Sequence, residues 1–181
     1  MNIMKDKKGW IIVSILILLG FASRLLPHPA NFAPIAAIAL FSGMYLNHRW
    51  AVVAPLLAMF ASDLFIGLYD FRIMAAVYIS FALSWMIGLW VKKRKKFSTV
   101  LGGTLLGSII FFLTTNAAVW AFAGMYLPSF EGLMQSYYMA LPFFRNSLLG
   151  DLFYVGVMVG SVEFVTVLGK WFAKKIVKME V

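Results

Sequence analysis

The sequence predicts an all-α integral membrane protein, a six-transmembrane-helix bundle with N and C termini cytoplasmic. Three observations carry this reading. Hydrophobic residues make up 62% of the chain and charged ones only 13%, with a mean hydropathy of +0.88, well outside the mix of soluble globular domains. Six apolar runs have about the length, roughly 20 residues, that crosses a bilayer. The basic residues behind the net charge of +9 fall in short clusters between those runs, where they orient a membrane protein rather than bind nucleic acid.

A chain of 181 residues with six spans has little left over, so it reads as one membrane domain, residues 1–181, with no separate soluble catalytic domain. The first run, 9–26, follows lysines as in a signal peptide. No small-residue cleavage site follows it, and it leads into Arg24-Leu25-Leu26-Pro27-His28-Pro29, so it is expected to stay as a first helix. Pro27 and Pro29 end it, because proline cannot continue the helical hydrogen-bond ladder. The second helix is expected over 30–47, with Pro34 in its first turn, where a missing amide proton costs nothing. His48 and Arg49 form the next turn. The third and fourth helices, 50–68 and 73–91, are joined by the polar turn Tyr69-Asp70-Phe71-Arg72. The basic stretch from Lys92 to Lys96 then separates the fourth helix from the fifth, 99–123. The sixth, 148–169, precedes Lys170, Lys174, Lys175 and Lys178.

The connection 124–146 is neither charged nor apolar enough to be simply a loop or a span. Leu133, Tyr137 and Leu141 lie at helical spacing between Pro128 and Pro142. That spacing predicts a short interfacial helix capping the outer face, with an aromatic belt at headgroup level as the alternative.

Short cytoplasmic loops collect Lys and Arg. With the N-terminus inside, all 16 basic residues except Arg24, Arg72 and Arg145 fall on the cytoplasmic side. An even number of helices is what keeps the two terminal lysine groups together.

Ionisable residues in a bilayer are costly and usually face the interior of a bundle, so each is a functional candidate. Arg24 ends the first helix, Asp63 lies in the outer half of the third, and Arg145 and Asp151 stand at the start of the sixth. All four share the outer depth. They either pair to fix helix packing or line an outward pocket together with His28, Asn31, Phe32, Asn116, Trp120, Tyr137 and Tyr138. Aromatic walls with a few polar groups suit a small organic ligand. Asn116 is explained equally by an interhelical hydrogen bond. Glu163 lies toward the cytoplasmic end of the sixth helix, within reach of the interface or of a basic partner.

Other chemistry is disfavoured. The chain has no cysteine, His28 has no second ligand at helical spacing, and His48 is on the opposite side, so no metal or other cofactor is expected. No nucleophile sits beside a general base and no Gly-rich phosphate loop is present, so neither an enzyme nor an ATPase is read here. Gly103 and Gly107, Gly156 and Gly160, Ala33 and Ala37, and Ala54 and Ala58 mark places where helices can approach closely.

The run from Arg24 through Pro27-His28-Pro29-Ala30-Asn31-Phe32-Ala33-Pro34 to Gly43, and that from Ala54-Pro55 to Ser62-Asp63-Leu64-Phe65-Ile66-Gly67, resemble an uncharacterised family of small bacterial membrane proteins. Thr115-Asn116-Ala117-Ala118-Val119-Trp120, Ala140 to Asn146, and Leu149-Gly150-Asp151-Leu152 extend the likeness over nearly the whole chain. That family is similar in turn to the S components, the substrate-binding subunits, of energy-coupling-factor (ECF) transporters.

The resemblance implies a multi-pass protein of the bacterial inner (cytoplasmic) membrane, in contact with membrane lipid. Its six-helix bundle would bind a vitamin, related micronutrient or metal ion from outside, under loops 27–32, 69–72 and 124–146. The partner it implies is a transmembrane coupling subunit with two ATPases. S components often carry Ala-x-x-x-Ala on the first helix for that docking, whereas Ser14 and Leu18 stand at such a spacing here. A solitary carrier, or one with different ATPases, is therefore the variant reading. The functional expectation is uptake of a small organic, vitamin-like micronutrient; the alternative is a structural or accessory membrane protein without transport activity.

Overall fold

The structure, a computed structural model, describes residues 7–46 and 49–179. Lys5, Asn47 and His48 lie outside them, as do the side chains of Lys7, Lys8, Arg49, Lys174 and Lys178. The described residues form six α-helices and no strand: α1 (Lys7–Leu25), α2 (Ile35–Tyr45), α3 (Val53–Ile66), α4 (Phe71–Lys92), α5 (Phe97–Phe122) and α6 (Phe130–Met179), with a 3-10 turn over Arg49–Val52. Three stretches are long and apolar enough to cross a membrane by length and composition: Phe71–Lys92, Phe97–Phe122 and Phe130–Trp171.

The second helix is shorter than expected, and its position explains why. The Phe32 amide donates to the Pro29 carbonyl at 3.0 Å, closing a turn in which Asn31 is left-handed at φ 62. Asparagine tolerates that conformation better than most residues. Pro34 then caps α2 without a side-chain hydrogen bond. The resulting 11-residue helix is only about 16 Å long at 1.5 Å per residue. It contacts each of the five other helices, and Ala37, Ile38 and Ala39 have no exposed surface. A helix apolar on all sides is stable only when enclosed in this way.

The backbones of α2 and α4 come together at two glycines. A Cβ at Gly43 would stand 2.2 Å from the Trp85 carbonyl oxygen, and one at Gly88 would stand 2.2 Å from that of Leu40. Only glycine lets the two backbones meet there. Of the small-residue pairs marked in the sequence, Gly103 faces the Val91 side chain, and Ala37, Ala54 and Ala58 are fully buried. Gly156 and Gly160 instead face open space.

The larger departure lies in α6. A separate interfacial helix over 124–146 followed by a span from 148 was expected; instead one helix of 50 residues runs through Pro142. Its first turns are anchored along α5. Tyr137 donates to the Leu113 carbonyl at 3.0 Å and Ser136 to that of Asn116 at 3.2 Å, while Phe112 packs on Tyr137 and Phe144 at centroid distances of 5.5 and 4.6 Å. Proline removes one helical hydrogen bond, and packing on both sides of it holds the helix in line.

At the far end of α2, the Tyr45 hydroxyl donates to Glu163 at 2.8 Å, tying α6 to the central helix. The Lys95 ammonium lies over the Tyr45 ring, 3.8 Å from its centroid. In the same turn, Thr99 hydrogen-bonds the Arg94 carbonyl. Burial lowers the pKa of Lys95.

Candidate functional site

The short α2 leaves space beyond its N-terminus. A cavity of about 260 Å³ opens there, walled by Arg24 of α1, Asn31 and the first turn of α2, Met59 of α3, Tyr69, Val77 and Phe81 of α4 and its approach, Phe111 of α5, and Ser147 and Asp151 of α6. A second cavity of about 210 Å³ shares Asn31, Val77, Phe111 and Ser147 with it and continues toward Thr115 and Asn116. The phenyl rings of Phe81 and Phe111 stack with centroids 5.2 Å apart.

Two buried acids flank this space differently. Asp63, 1% exposed, accepts from Arg24 Nη1 at 2.6 Å on one oxygen and from the Tyr78 hydroxyl at 2.9 Å on the other. The same Arg24 nitrogen donates to Ser62 Oγ at 2.6 Å and to the Met59 carbonyl at 3.2 Å. This network satisfies both carboxylate oxygens, as a buried charge requires. Asp151, 6% exposed, accepts from Ser108 Oγ at 2.7 Å. Among the described residues no basic side chain is ion-paired with it. Asp151 also borders a gap of about 10 Å³ beside Ser84 and Ser108, close to the space a single water needs.

The candidate residues thus separate. Arg24, Asn31 and Asp151 lie on the main cavity wall and Asn116 on the second. Asp63 stands behind Arg24 rather than on the wall. The Asn116 amide is turned back to the Phe112 carbonyl of its own helix at 2.7 Å. Phe32 packs on Tyr154 and Phe153, with centroids 5.6 and 6.3 Å away. Trp120 donates to the Leu127 carbonyl at 2.9 Å and closes the α5–α6 loop.

Tyr137 is bonded to α5, Tyr138 is 72% exposed, and His28 and Arg145 are exposed and on neither cavity wall. The two-by-two pairing of Arg24, Arg145, Asp63 and Asp151 is therefore half realised. Arg24 and Asp63 pair, whereas Arg145 and Asp151 do not pair with each other.

Sequence reasoning missed Tyr69, Phe81, Phe111 and Ser147. Phe81 and Phe111 carry no mark that separates them from other core aromatics. Tyr69 stands in the loop already marked as polar, where burial and then the Asp63 charge push its hydroxyl up to about 12. In that loop Asp70 caps α4, accepting from the Arg72 amide at 2.9 Å and from its guanidinium at 2.6 and 3.0 Å. Those bonds hold the Asp70 carboxyl at about 2.

An all-helical bundle enclosing a mixed polar and aromatic cavity at the end of a buried central helix is the class of protein defined by this arrangement. The chain belongs to a family of unknown function, DUF6580, matched over residues 4–174. No match is found among curated proteins or among solved structures.

Proposed function

We propose that this is a multi-pass protein of the bacterial inner membrane that binds a small organic solute for uptake, through the cavity at the N-terminal end of α2. The carrying observation is that cavity: about 260 Å³, with a guanidinium, a carboxylate, an asparagine and stacked aromatic rings on its wall. Small-molecule sites combine a mostly apolar lining with a few convergent polar groups in this way. The basic clusters between the helices support both ends lying on the cytoplasmic side, with the cavity toward the opposite side. An S-component-like role, delivering a vitamin-like solute to a coupling subunit with two ATPases, is the form this reading takes.

A second reading has its own support. The Arg24, Asp63, Tyr78 and Ser62 network is complete without a ligand, as in an accessory membrane protein whose buried charges only lock helices together.

The deciding experiment purifies the protein from membranes and identifies any co-purifying small molecule by mass spectrometry. It is paired with growth of a deletion strain on limiting micronutrients. A bound organic solute and a growth defect relieved by that solute are expected. An empty protein with wild-type growth on every nutrient tested overturns the uptake reading.

A further inference from the structure

The cavity wall carries one guanidinium and one carboxylate, and a second carboxylate, Asp63, stands directly behind the guanidinium. Arg24 supplies the one guanidinium, and its Nη1 is committed to Asp63, Ser62 and Met59, so that pair is neutral as a unit. Asp151 is 94% removed from solvent by its 6% exposure, and its hydrogen bond comes from a neutral serine. A carboxylate taken out of water without a counter-charge is strongly disfavoured. The first turn of α2 borders the same space through Ile35 and Ala36, but a helix N-terminus contributes only about half a positive charge. It offsets part of the deficit, and a cation that binds here takes the place of any proton on the Asp151 carboxyl.

Resting on the cavity reading above, we propose that the solute is a small organic cation, a protonated amine on a flat or apolar body, and that Asp151 holds its charge. Two further features select this chemistry. The Phe81 and Phe111 stack and Tyr69 line the same cavity, and aromatic faces attract cations as well as flat apolar bodies. A hard divalent metal ion takes about six or more oxygen ligands, whereas one carboxylate and one serine hydroxyl meet at this point. An anion would meet the Asp151 carboxylate, while the charge of Arg24 is already balanced by Asp63.

The test uses the full-length protein in lipid nanodiscs and three probes of nearly the same shape: 2-phenylethylamine, 2-phenylethanol and 3-phenylpropionate. Binding is measured by equilibrium dialysis against empty nanodiscs at neutral pH. The amine is expected to bind about tenfold or more tighter than the alcohol, as a charge-assisted contact does, with the carboxylate weakest. Asp151→Asn is expected to bring the amine to the level of the alcohol.

The wild-type comparison decides the matter even if Asp151→Asn does not fold. Equal or tighter binding of the alcohol or the carboxylate overturns the cation inference and leaves the cavity reading standing. An amine preference that survives Asp151→Asn overturns the assignment to Asp151. No binding by any of the three overturns the inference and counts against the cavity reading itself.

Discussion

Arg24 Nη1 stands 2.6 Å from Asp63 Oδ1, joining the last turn of α1 to the last turn of α3 across one wall of the cavity. Removing one partner leaves the other charge buried, so Arg24→Ala or Asp63→Ala is expected to cost about 3–5 kcal/mol. The double replacement Arg24→Met with Asp63→Leu keeps volume without charge and is expected to cost less than either single change. Denaturation of the purified variants in mild detergent checks this; a double variant weaker than both singles refutes it.

The α2–α4 crossing at Gly43 and Gly88 makes a contrast with α6. Gly88→Ala or Gly43→Ala places a Cβ 2.2 Å from a backbone carbonyl, which only helix displacement relieves, at about 1–3 kcal/mol or more. Gly156→Ala meets nothing within 4 Å and is expected to be neutral or stabilising by up to about 1 kcal/mol through helix propensity. Thermal unfolding should place both crossing variants below Gly156→Ala.

Tyr45→Phe removes the hydroxyl that donates to Glu163 at 2.8 Å. A hydrogen bond to a charged group contributes about 1.5–3 kcal/mol, and its loss here should act on α6 locally. Faster amide exchange around Glu163, with α4 and α5 unchanged, is the expected pattern in hydrogen–deuterium exchange. Unaltered protection of α6 would show the contact to be dispensable.

The Asp70 cap has a defined pH window. Its carboxyl is held at about 2 by Arg72, against an ordinary value of 3.8, so the folded state binds this proton less readily than the unfolded one. The stabilising contribution is therefore complete above the ordinary value and is lost as pH falls toward about 2. A carbon-13 titration of Asp70 should give a midpoint near 2 in the wild type, returning toward the ordinary value in Arg72→Ala. A midpoint near 4 in the wild type would refute the cap.

Much of the helical plan was legible along the chain because hydrophobic runs and their breakers are local properties. Pro27 and Pro29 follow the end of α1, and the breaks between α3 and α4 and between α4 and α5 overlap the marked stretches, although Phe71, Arg72 and Lys92 belong to α4 itself. Asp63 and Asp151 were legible as buried acids because charge in an apolar run has few other places to go.

Their fates were not legible. That Asp63 meets Arg24 and Tyr78 while Asp151 faces a cavity beside Ser108 depends on which helices are neighbours. The same holds for Phe81 and Phe111, ordinary core residues until α4 and α5 bring them together on the cavity wall. Packing also carried α6 through Pro142, against local propensity, and enclosed the short α2 that the 29–34 turn leaves. Composition and periodicity determined that the chain forms apolar helices; tertiary structure decided which helices surround the start of α2, and the cavity is the space they leave there. Helix formation depends on residues a few positions apart, whereas a cavity exists only where side chains from separate helices fail to fill the volume between them.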